Sequence, residues 1–532
     1  MPPDTLFRHA TVVDGTGSAR YVAHVLVAGG VILSIGDDAR PSAQTRVVEA
    51  DGLVLSPGFI DMHAHSDLAL LGDKQHLAKI TQGVTTELVG QDGLGYVPSD
   101  VGTLARVRRQ IAGWNGNPPD PDLDWLSVAR YLDAVEGAAT NVAVLVPQGN
   151  LRLMVVGDAN RAATPAEVTR MRDILDRSLA EGAVGMSSGL NYVPGMFAST
   201  DELVALCEVV AARGGFWAPH TRSYGLGALE SYAEMIEIAQ AAGCALHLTH
   251  ATMNFAPNRG RAGELLAMID EGLAAGLDIS LDSYPYLAGA TTLAALLPSW
   301  ALAGGLDATL DRLAETDARE RIRIAVDEIG SDGCNGLTVE WSTIEIAGVA
   351  NQELAPLVGR RISDIAVERD IPPVEVFLDI LRRDALATSI QQHVGDEANL
   401  RAIMQHRTHM GGSDGILVGA KPHPRTWGTF PRYLGHYSRD LALMSLEECV
   451  AHLTSRPAAR LGLTDRGLVR EGYAADLVLF DPETIKDAAT YDTPRVAAIG
   501  IRAVLVNGQF ALDDGERTSA VAGRALRAQS AQ

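Results

Sequence analysis

The chain has 532 residues and a net charge of −22, from 66 acidic and 44 basic side chains. This length suits one large catalytic domain with a smaller companion. The negative charge disfavours nucleic acid and anionic membranes as partners, because clustered Lys and Arg hold phosphate groups. The sequence contains no bilayer-spanning apolar run and no signal-peptide pattern, so we expect a cytoplasmic protein that acts on a small molecule.

The two ends of the chain carry short strand patterns separated by turn residues. Apolar runs lie near the start, and a similar run at 475–480 precedes a hairpin whose turn is Asn507-Gly508. We expect both segments, residues 1–55 and 466–520, to form one small β-sandwich domain. The composition of residues 521–532, rich in Arg, Ala, Ser and Gln, favours disorder in a C-terminal tail.

Between the two ends, strand-like runs alternate with helical patterns, such as those at 166–180 and 202–212. This alternation implies a parallel sheet, and a TIM-like (β/α)8 barrel is the economical arrangement. We therefore predict an α/β protein with the barrel at residues 56–465. The stretch from about 291 to 399 is longer than one βα step needs, which predicts an inserted lid segment.

His63 and His65 follow an apolar run at 53–60 that we take as the first barrel strand. Residues two apart on a strand point the same way, so both imidazoles leave the strand end on one face. Two ligands for a divalent metal can therefore come from one strand end. A lone His-x-His also occurs as ordinary loop histidines, so this assignment depends on the other strands.

Other predicted strands also end in polar residues. They are Asp92 after the strand at 84–89, His220 after 214–219, His250 after 244–249, and Asp414 after the last strand. A barrel builds its active site at the carboxyl ends of its strands, so four histidines and two carboxylates meet at one rim. Imidazole and carboxylate suit zinc, which activates water for hydrolysis.

Longer stretches of sequence accompany this order of His-x-His, His, His and Asp. They lie at 57–67, 186–195, 278–286, 412–415, 423–432 and 472–478. Together they resemble the N-acyl-D-amino-acid deacylase (D-aminoacylase) family of the amidohydrolase superfamily, over nearly the whole chain. The resemblance implies a metal-dependent hydrolase of C–N bonds other than peptide bonds, with one or two zinc ions. It also implies that Asp414 takes a proton from the water and hands it to the leaving nitrogen.

The chain departs from the family at the metal site. Many amidohydrolases bridge two metals with a carbamylated lysine, and no lysine lies between Ile80 and Ala420. D-aminoacylases typically carry a cysteine ligand in an Asn-Cys-Gly turn, where this chain has Gln91-Asp92-Gly93. We expect Asp92 to replace that thiolate on one zinc with His220 and His250, or to bridge to a second zinc held by His63, His65 and Asp414. The alternative is a plain turn aspartate.

A second departure concerns substrate binding. The family lysine that meets the substrate carboxylate is absent, because Thr252 follows His250-Ala251. By family position, Tyr192 and Arg425 remain as candidates, and a guanidinium can grip a carboxylate with two hydrogen bonds. Tyr284 is a further candidate for the pocket wall, although a tyrosine beside a proline also packs structurally.

The sequence thus predicts hydrolysis of the linear amide of an N-acyl-D-amino acid. A cyclic-amide hydrolase acting on hydantoin-like or diketopiperazine-like rings is the first alternative, since such rings need no carboxylate clamp. A catalytically inactive barrel that only binds a ligand is the second alternative. The resemblance leaves monomer and homodimer equally open.

Overall fold

The computed structural model describes residues 4–37, 39–116 and 126–528. The strands of this part of the chain are β1 Thr5–Val12, β2 Tyr21–Ala28, β3 Val31–Ile35, β4 Arg46–Glu49, β5 Val54–Pro57, β6 Phe59–Asp61, β7 Val84–Val89, β8 Asn141–Pro147, β9 Gly185–Gly189, β10 Phe216–His220, β11 Ala245–Leu248, β12 Ile279–Ser283, β13 Ala288–Thr292, β14 Ile344–Gly348, β15 Ser389–His393, β16 His409–Gly411, β17 Leu477–Phe480, β18 Ile501–Val506, β19 Gln509–Asp513 and β20 Glu516–Arg517.

The α-helices in the same ranges are α1 Ala69–Gly72, α2 Leu77–Ile80, α3 Val101–Gln110, α4 Ala112–Asn115, α5 Val128–Ala134, α6 Gln148–Val155, α7 Pro165–Ala180, α8 Thr200–Ala212, α9 Ala228–Ala242, α10 Ala262–Ala274, α11 Ser299–Leu302, α12 Gly305–Ala314, α13 Thr316–Ile324, α14 Ile362–Arg369, α15 Pro373–Arg383, α16 Glu397–Met404, α17 Arg425–Arg432, α18 Leu446–Leu453 and α19 Ser455–Arg460. Ala325–Ile329 and Tyr433–Asp440 are π-helical. Short 3-10 turns lie at Gly195–Phe197, Ala256–Asn258, Leu293–Leu296, Trp341–Thr343 and Gln352–Leu357.

The predicted barrel is confirmed. Eight parallel strands lie side by side in the order β6-β7-β8-β9-β10-β11-β12-β16. Hydrogen bonds from Met62 N to Gly411 O (3.2 Å) and from Asp414 N to His63 O (2.8 Å) connect its two edges. Every residue of β7 and β8 is buried, because helices cover one face and the barrel core covers the other.

Helix α7 shows how the sequence produces the helices that surround the barrel. Thr164 caps its N-terminus in a capping box with Glu167, and Pro165 occupies the first turn, where a missing N–H costs nothing. Met171, Leu175 and Leu179 repeat at four-residue spacing and are buried on one face. The helix therefore packs this face on β8 and on its neighbours α6 and α8.

Strands from both chain ends form one nine-stranded sheet, in which β5 pairs in parallel with β1 and antiparallel with β17. Ile32 N also donates to Tyr473 O (2.9 Å), so β3 lies against the segment before β17. The sheet folds back on itself around a buried core that includes Phe7, Val25 and Leu505. Both predicted terminal segments therefore contribute strands to one nine-stranded sheet.

The predicted insertion lies between β12 and β16. It contains a three-stranded sheet, β13-β15-β14, and a separate core around Ile346, Phe377 and Ile390. Its first strand reaches the carboxyl ends of the barrel strands, where the Thr291 and Tyr192 hydroxyls hydrogen-bond at 3.0 Å. The insert therefore contacts the region where the sequence places the candidate site.

We expected disorder in the tail, yet residues 523–528 hydrogen-bond to the barrel. Val142 N donates to Arg524 O (2.9 Å), and Leu526 N donates to Val142 O (2.7 Å). A Cβ atom at Gly523 would lie 1.9 Å from Thr140 O, so glycine lets the chain approach this closely. Residues 529–532 lie outside the described residues. Among the helices of the described ranges, none has both the length and the apolar character for crossing a membrane.

Candidate metal centre

His63 and His65 lie just after β6, fully inside the barrel mouth. Asp61 fixes the start of this segment, because its carboxylate accepts a hydrogen bond from His63 N (3.2 Å). The His65 Nε2 atom lies 3.2 Å from Asp414 Oδ1 and 3.5 Å from Asp92 Oδ2. The His63 Nε2 atom lies 3.6 Å from Asp92 Oδ1 and 3.8 Å from Asp414 Oδ1.

Asp92 occupies the turn after β7 with a left-handed backbone, φ 54°. Aspartate tolerates this conformation better than most residues, and Gly93 continues it with φ 69°. A Cβ atom on Gly93 would lie 2.3 Å from Gly189 N, so the turn packs tightly against the end of β9. This packing holds the Asp92 carboxylate at the centre of the barrel mouth.

His220 ends β10 and His250 follows β11. Their facing nitrogens, His220 Nδ1 and His250 Nε2, lie 3.0 Å apart, and each faces Asp92 Oδ1 at 3.6 and 3.3 Å. The other ring nitrogen of His250 hydrogen-bonds to the Tyr224 hydroxyl at 3.0 Å. That bond orients the imidazole so that Nε2 faces Asp92.

The six side chains form two groups that share one carboxylate. The first ligand group comprises Asp92, His220 and His250, and the second ligand group comprises His63, His65, Asp92 and Asp414. Within each group, the offered ligand atoms lie within 4.8 Å of one another. The ligands of a tetrahedral zinc ion lie about 3.3 Å apart, given bonds of about 2.0–2.1 Å. The separations between ligand atoms given above, from 3.0 to 3.8 Å, are close to this value.

An unpaired buried atom supports the same fit. The His63 Nε2 atom is inaccessible to solvent and has no hydrogen-bond partner among the described residues. Buried polar atoms are normally paired, because an unsatisfied one costs free energy. A cation between His63, Asp92 and Asp414 would satisfy it, so the residues present suit a bound metal ion.

The charges in the site keep its carboxylates ionised. Burial opposes ionisation of Asp92, but the neighbouring His63, His250 and His220 outweigh it and hold its pKa well below the usual range. Burial likewise opposes ionisation of Asp414, and the Arg425 guanidinium together with His65 lowers its pKa. Both carboxylates are therefore anionic and ready to bind a cation.

Arg425 lies beside this centre and is fully buried. Its Nη2 lies 3.0 Å from Asp414 Oδ2, and its guanidinium lies 4.4 Å from the centre of the Tyr284 ring. Its Nε and Nη1 atoms donate to no group of the described chain. The site therefore holds a buried cation with two unpaired donor atoms.

A cavity of about 90 Å³ opens at these residues. Its walls include Asp92, Tyr192, His220, His250, Thr252, Phe255, Tyr284, Leu296 and Asp414. The Tyr192 ring lies 4.7 Å from the His220 ring and 5.0 Å from the Trp114 ring. All nine predicted site residues thus lie in or beside one cavity.

Sequence reasoning missed two supporting residues. Tyr224 orients His250, and Asp282 accepts hydrogen bonds from His250 N (3.0 Å) and from His247 Nε2 (2.9 Å). Asp282 lies near the end of β12, so the strand-end rule could have found it. Arg222, two residues beyond His220, pairs with Glu234 at 2.8 Å.

Comparisons with known proteins agree with this geometry. An amidohydrolase family model matches residues 46–511. The D-aminoacylase of Alcaligenes xylosoxydans xylosoxydans is 35% identical over 537 aligned positions, covering 99% of this chain and 98% of that protein. The N-acyl-D-glutamate deacylase of the same organism is 34% identical, covering 95% of this chain and 93% of that protein.

Two solved structures are similar over 99% of this chain and 100% of their own. A D-aminoacylase studied for its binuclear metal centre has a TM-score of 0.82 and 33% identity. An N-acyl-D-glutamate deacylase from Bordetella bronchiseptica, in complex with zinc and a phosphonate mimic of the tetrahedral intermediate, has a TM-score of 0.82 and 32% identity. The chain therefore belongs to the amidohydrolase family, in its D-aminoacylase branch.

Proposed function

We propose that the protein is a zinc-dependent deacylase that hydrolyses the amide bond of N-acyl-D-amino acids. The supporting observation is the Asp92 carboxylate shared by two ligand groups, beside a buried guanidinium with two unpaired nitrogens. D-aminoacylase and N-acyl-D-glutamate deacylase relatives, similar over nearly their whole lengths, support the same activity.

Zinc would be held by the first ligand group, and a second ion by the second ligand group, with Asp92 common to both. When bound, zinc supplies Lewis-acid activation of water and of the substrate carbonyl. The neutral forms of the four imidazoles and the ionised carboxylates are the ligand types that zinc takes in hydrolases. This arrangement replaces the thiolate of other D-aminoacylases with a harder oxygen ligand.

Asp414 is the proton carrier in this proposal. It receives the proton of the attacking water as the new C–O bond forms, and it delivers that proton to the amide nitrogen as the C–N bond breaks. The products are a carboxylate and the free amine of the D-amino acid. Its place at the barrel mouth, 3.2 Å from His65 Nε2, supports this role.

Arg425 binds the substrate carboxylate in this proposal. Its Nε and Nη1 atoms are buried and unpaired, and either N–H can donate a charge-assisted hydrogen bond to a carboxylate. The Tyr284 ring contacts the guanidinium through its face, and Tyr192 lines the cavity where the amide would lie. Because Thr252 replaces the family lysine, Arg425 carries this contact without a second cation.

Steady-state kinetics on N-acetyl-D-amino acids, their L forms and cyclic amides test the proposal. We expect turnover of the D forms that a chelator abolishes and zinc restores. Asp414→Asn should lower kcat about 10²- to 10⁴-fold, the usual contribution of general acid–base catalysis. Arg425→Met should raise KM for N-acetyl-D-amino acids far more than for the corresponding amides, which lack the carboxylate.

Arg222→Met is the matched control, because Arg222 is an ion-paired arginine near the same rim. It should leave the ratio of KM for acids to KM for amides unchanged. Turnover of cyclic amides with every N-acyl acid inert would replace this proposal with the cyclic-amide alternative. Full activity after exhaustive removal of metal would also contradict it.

A further inference from the structure

A buried ion cluster lies behind the second ligand group. Lys79, one of four lysines in the chain, is fully inaccessible to solvent, as are Asp61 and Glu87. The Lys79 Nζ atom lies 2.5 Å from Asp61 Oδ2, 2.9 Å from Ser413 Oγ and 3.5 Å from Glu87 Oε2. One buried cation thus lies within ion-pairing distance of two buried carboxylates.

The Asp61 side of this cluster joins the two edges of the barrel. Asp61 Oδ1 accepts hydrogen bonds from His63 N (3.2 Å), after β6, and from Ser413 N (2.8 Å), after β16. Its Oδ2 accepts the Ser413 hydroxyl at 2.6 Å, and Ser413 Oγ accepts Gly415 N at 3.0 Å. The backbone on both sides of Asp414 is therefore tied to Asp61 and Lys79.

The Glu87 side of the cluster reaches the residue next to His65. Glu87 Oε2 accepts the Ser66 hydroxyl at 2.6 Å. Its Oε1 accepts the Thr140 hydroxyl at 2.7 Å and lies 2.6 Å from His76 Nε2. Burial opposes ionisation of Glu87, but His76 and Lys79 outweigh it and lower its pKa, so the carboxylate stays anionic.

The cluster is confined to one of the two ligand groups. In the described ranges, the side-chain hydrogen bonds of Lys79, Asp61 and Glu87 reach His63 N and the residues next to His65 and Asp414. The first ligand group is supported by Tyr224 and Asp282, which contact His250. Asp282 Oδ2 also lies 3.9 Å from His63 Nδ1 of the second ligand group. Only Asp92 is common to both groups, and it contacts neither Lys79 nor its partners in the hydrogen bonds given above.

We propose that Lys79 is a positioning residue for the second metal ion. By pairing with Asp61 at 2.5 Å and facing Glu87 at 3.5 Å, it holds the segments after β6 and β16 in the geometry that presents His63, His65 and Asp414 to one cation. Without it, two buried carboxylates would repel each other and those segments would separate. The inference rests on the metal centre proposed above, and it assigns Lys79 to one ion and not to the other.

Zinc retention tests this assignment without any substrate. Full-length holoprotein is dialysed against buffers of graded free Zn²⁺, and zinc per chain is measured at each concentration. We expect the wild type to lose two ions in two steps. Lys79→Met should lose one ion at a free Zn²⁺ concentration about 10- to 100-fold higher than the wild type, the range typical of outer-sphere partners of metal ligands. The other step should shift less than twofold.

Lys421→Met is the matched control, because the Lys421 ammonium also pairs with a shielded carboxylate, Glu345, at 2.7 Å, away from the metal centre. Both steps should be unchanged in it. Unchanged steps in Lys79→Met, an equal shift of both steps, or a wild type that holds one ion per chain would each overturn the proposal. These readings do not depend on which amide is hydrolysed, so a failed deacylase assay would leave them intact.

Ser413→Ala keeps the proposal testable if Lys79→Met does not fold. It removes only the hydroxyl that links Lys79 to the Asp414 segment, so it creates little empty space. We expect the same single step to weaken, with Co²⁺ absorption of the second ion altered and that of the first preserved. Ser56→Ala, at a buried hydroxyl that bonds Pro57 O, should leave both steps and the Co²⁺ spectrum unchanged. Identical behaviour of the two variants would refute the assignment.

Discussion

At the scale of residues, three candidate ligands adopt backbone conformations that few side chains favour. Asp92, His250 and Asp414 have φ values of 54°, 32° and 47°. Each such conformation costs on the order of 1–3 kcal/mol and is found mostly at functional sites. In each case, the left-handed residue turns the chain just beyond a barrel strand and points its side chain towards the shared centre.

Replacing Asp92 tests the role of the shared carboxylate. We expect the zinc content of dialysed Asp92→Ala to be lower than that of the wild type by at least one ion per chain, because both ligand groups lose an anionic ligand. Metal analysis by mass spectrometry measures this content. Asp370→Ala controls for the backbone, since Asp370 has φ 53° at the end of α14, outside the site. Undiminished zinc in Asp92→Ala would remove Asp92 from the centre.

The sequence predicted the candidate ligands because apolar runs show where strands end, and a barrel brings the carboxyl ends of its strands together. His63, His220 and Asp414 each follow an apolar run, so their common rim follows from the fold. The ion pair of Arg425 with Asp414 and the cluster around Lys79 were not predictable in this way. They join residues from distant strands and helices, and such contacts depend on the three-dimensional register of the barrel.

At the scale of elements, the apolar run at 53–60 shows that a hydrophobic pattern does not locate the boundary between two strands. We expected one strand, but the structure divides it into β5 in the small sheet and β6 in the barrel. Gly58 stands between them, and a Cβ atom there would lie 2.2 Å from Thr85 Oγ1. A continuous apolar run indicates burial and does not show where the chain passes from one sheet to another. By contrast, β7 begins and ends where the sequence predicts.

The three-stranded sheet of the insert carries a charge contact of its own. Glu345 on β14 is 7% exposed, and its carboxylate lies 2.7 Å from Lys421 Nζ and 3.2 Å from His393 Nε2 on β15. Burial opposes ionisation of Glu345, but these two partners outweigh it and lower its pKa. The ionised carboxylate therefore stabilises the folded insert.

The pH dependence of stability follows from that shift. A lowered pKa in the folded state stabilises fully above the unfolded value, about 4.3 for Glu, and the gain is lost as pH falls below it. We expect the urea midpoint of the wild type to fall more steeply between about pH 5 and pH 3 than that of Glu345→Gln. Glu353→Gln, at an exposed glutamate, should follow the wild type. Parallel curves for wild type and Glu345→Gln would contradict the prediction.

At the scale of the whole molecule, a buried polar joint connects the small sheet to the barrel. Asp476 pairs with Arg466, accepts Asn507 N at 2.6 Å, and accepts Asn141 Nδ2 of β8 at 2.9 Å. Asn507 Nδ2 also donates to Asn141 Oδ1 at 2.8 Å. Four side chains from three parts of the chain thus contact one another where the small sheet meets the barrel.

Removing Asp476 should be costly. Asp476→Ala leaves the buried Arg466 guanidinium with only the exposed Asp465 carboxylate, 3.4 Å from its Nε, and we expect it to lower the free energy of unfolding by about 3–5 kcal/mol. Asp513→Ala removes an exposed ion pair with Arg46, and it should cost about 1 kcal/mol or less. Denaturant unfolding measures both. Equal losses in the two variants would show that the joint does not stabilise the molecule.

The pairing of β5 with β17 also bears on how the protein is made. On the ribosome, β5 emerges before the barrel, and its partner emerges only after the barrel has been synthesised. At about 5–20 residues per second, that delay lasts on the order of a minute. An unpaired strand edge is a template for aggregation throughout this time. We therefore expect a chaperone to bind the first strands of the nascent chain until translation reaches β17.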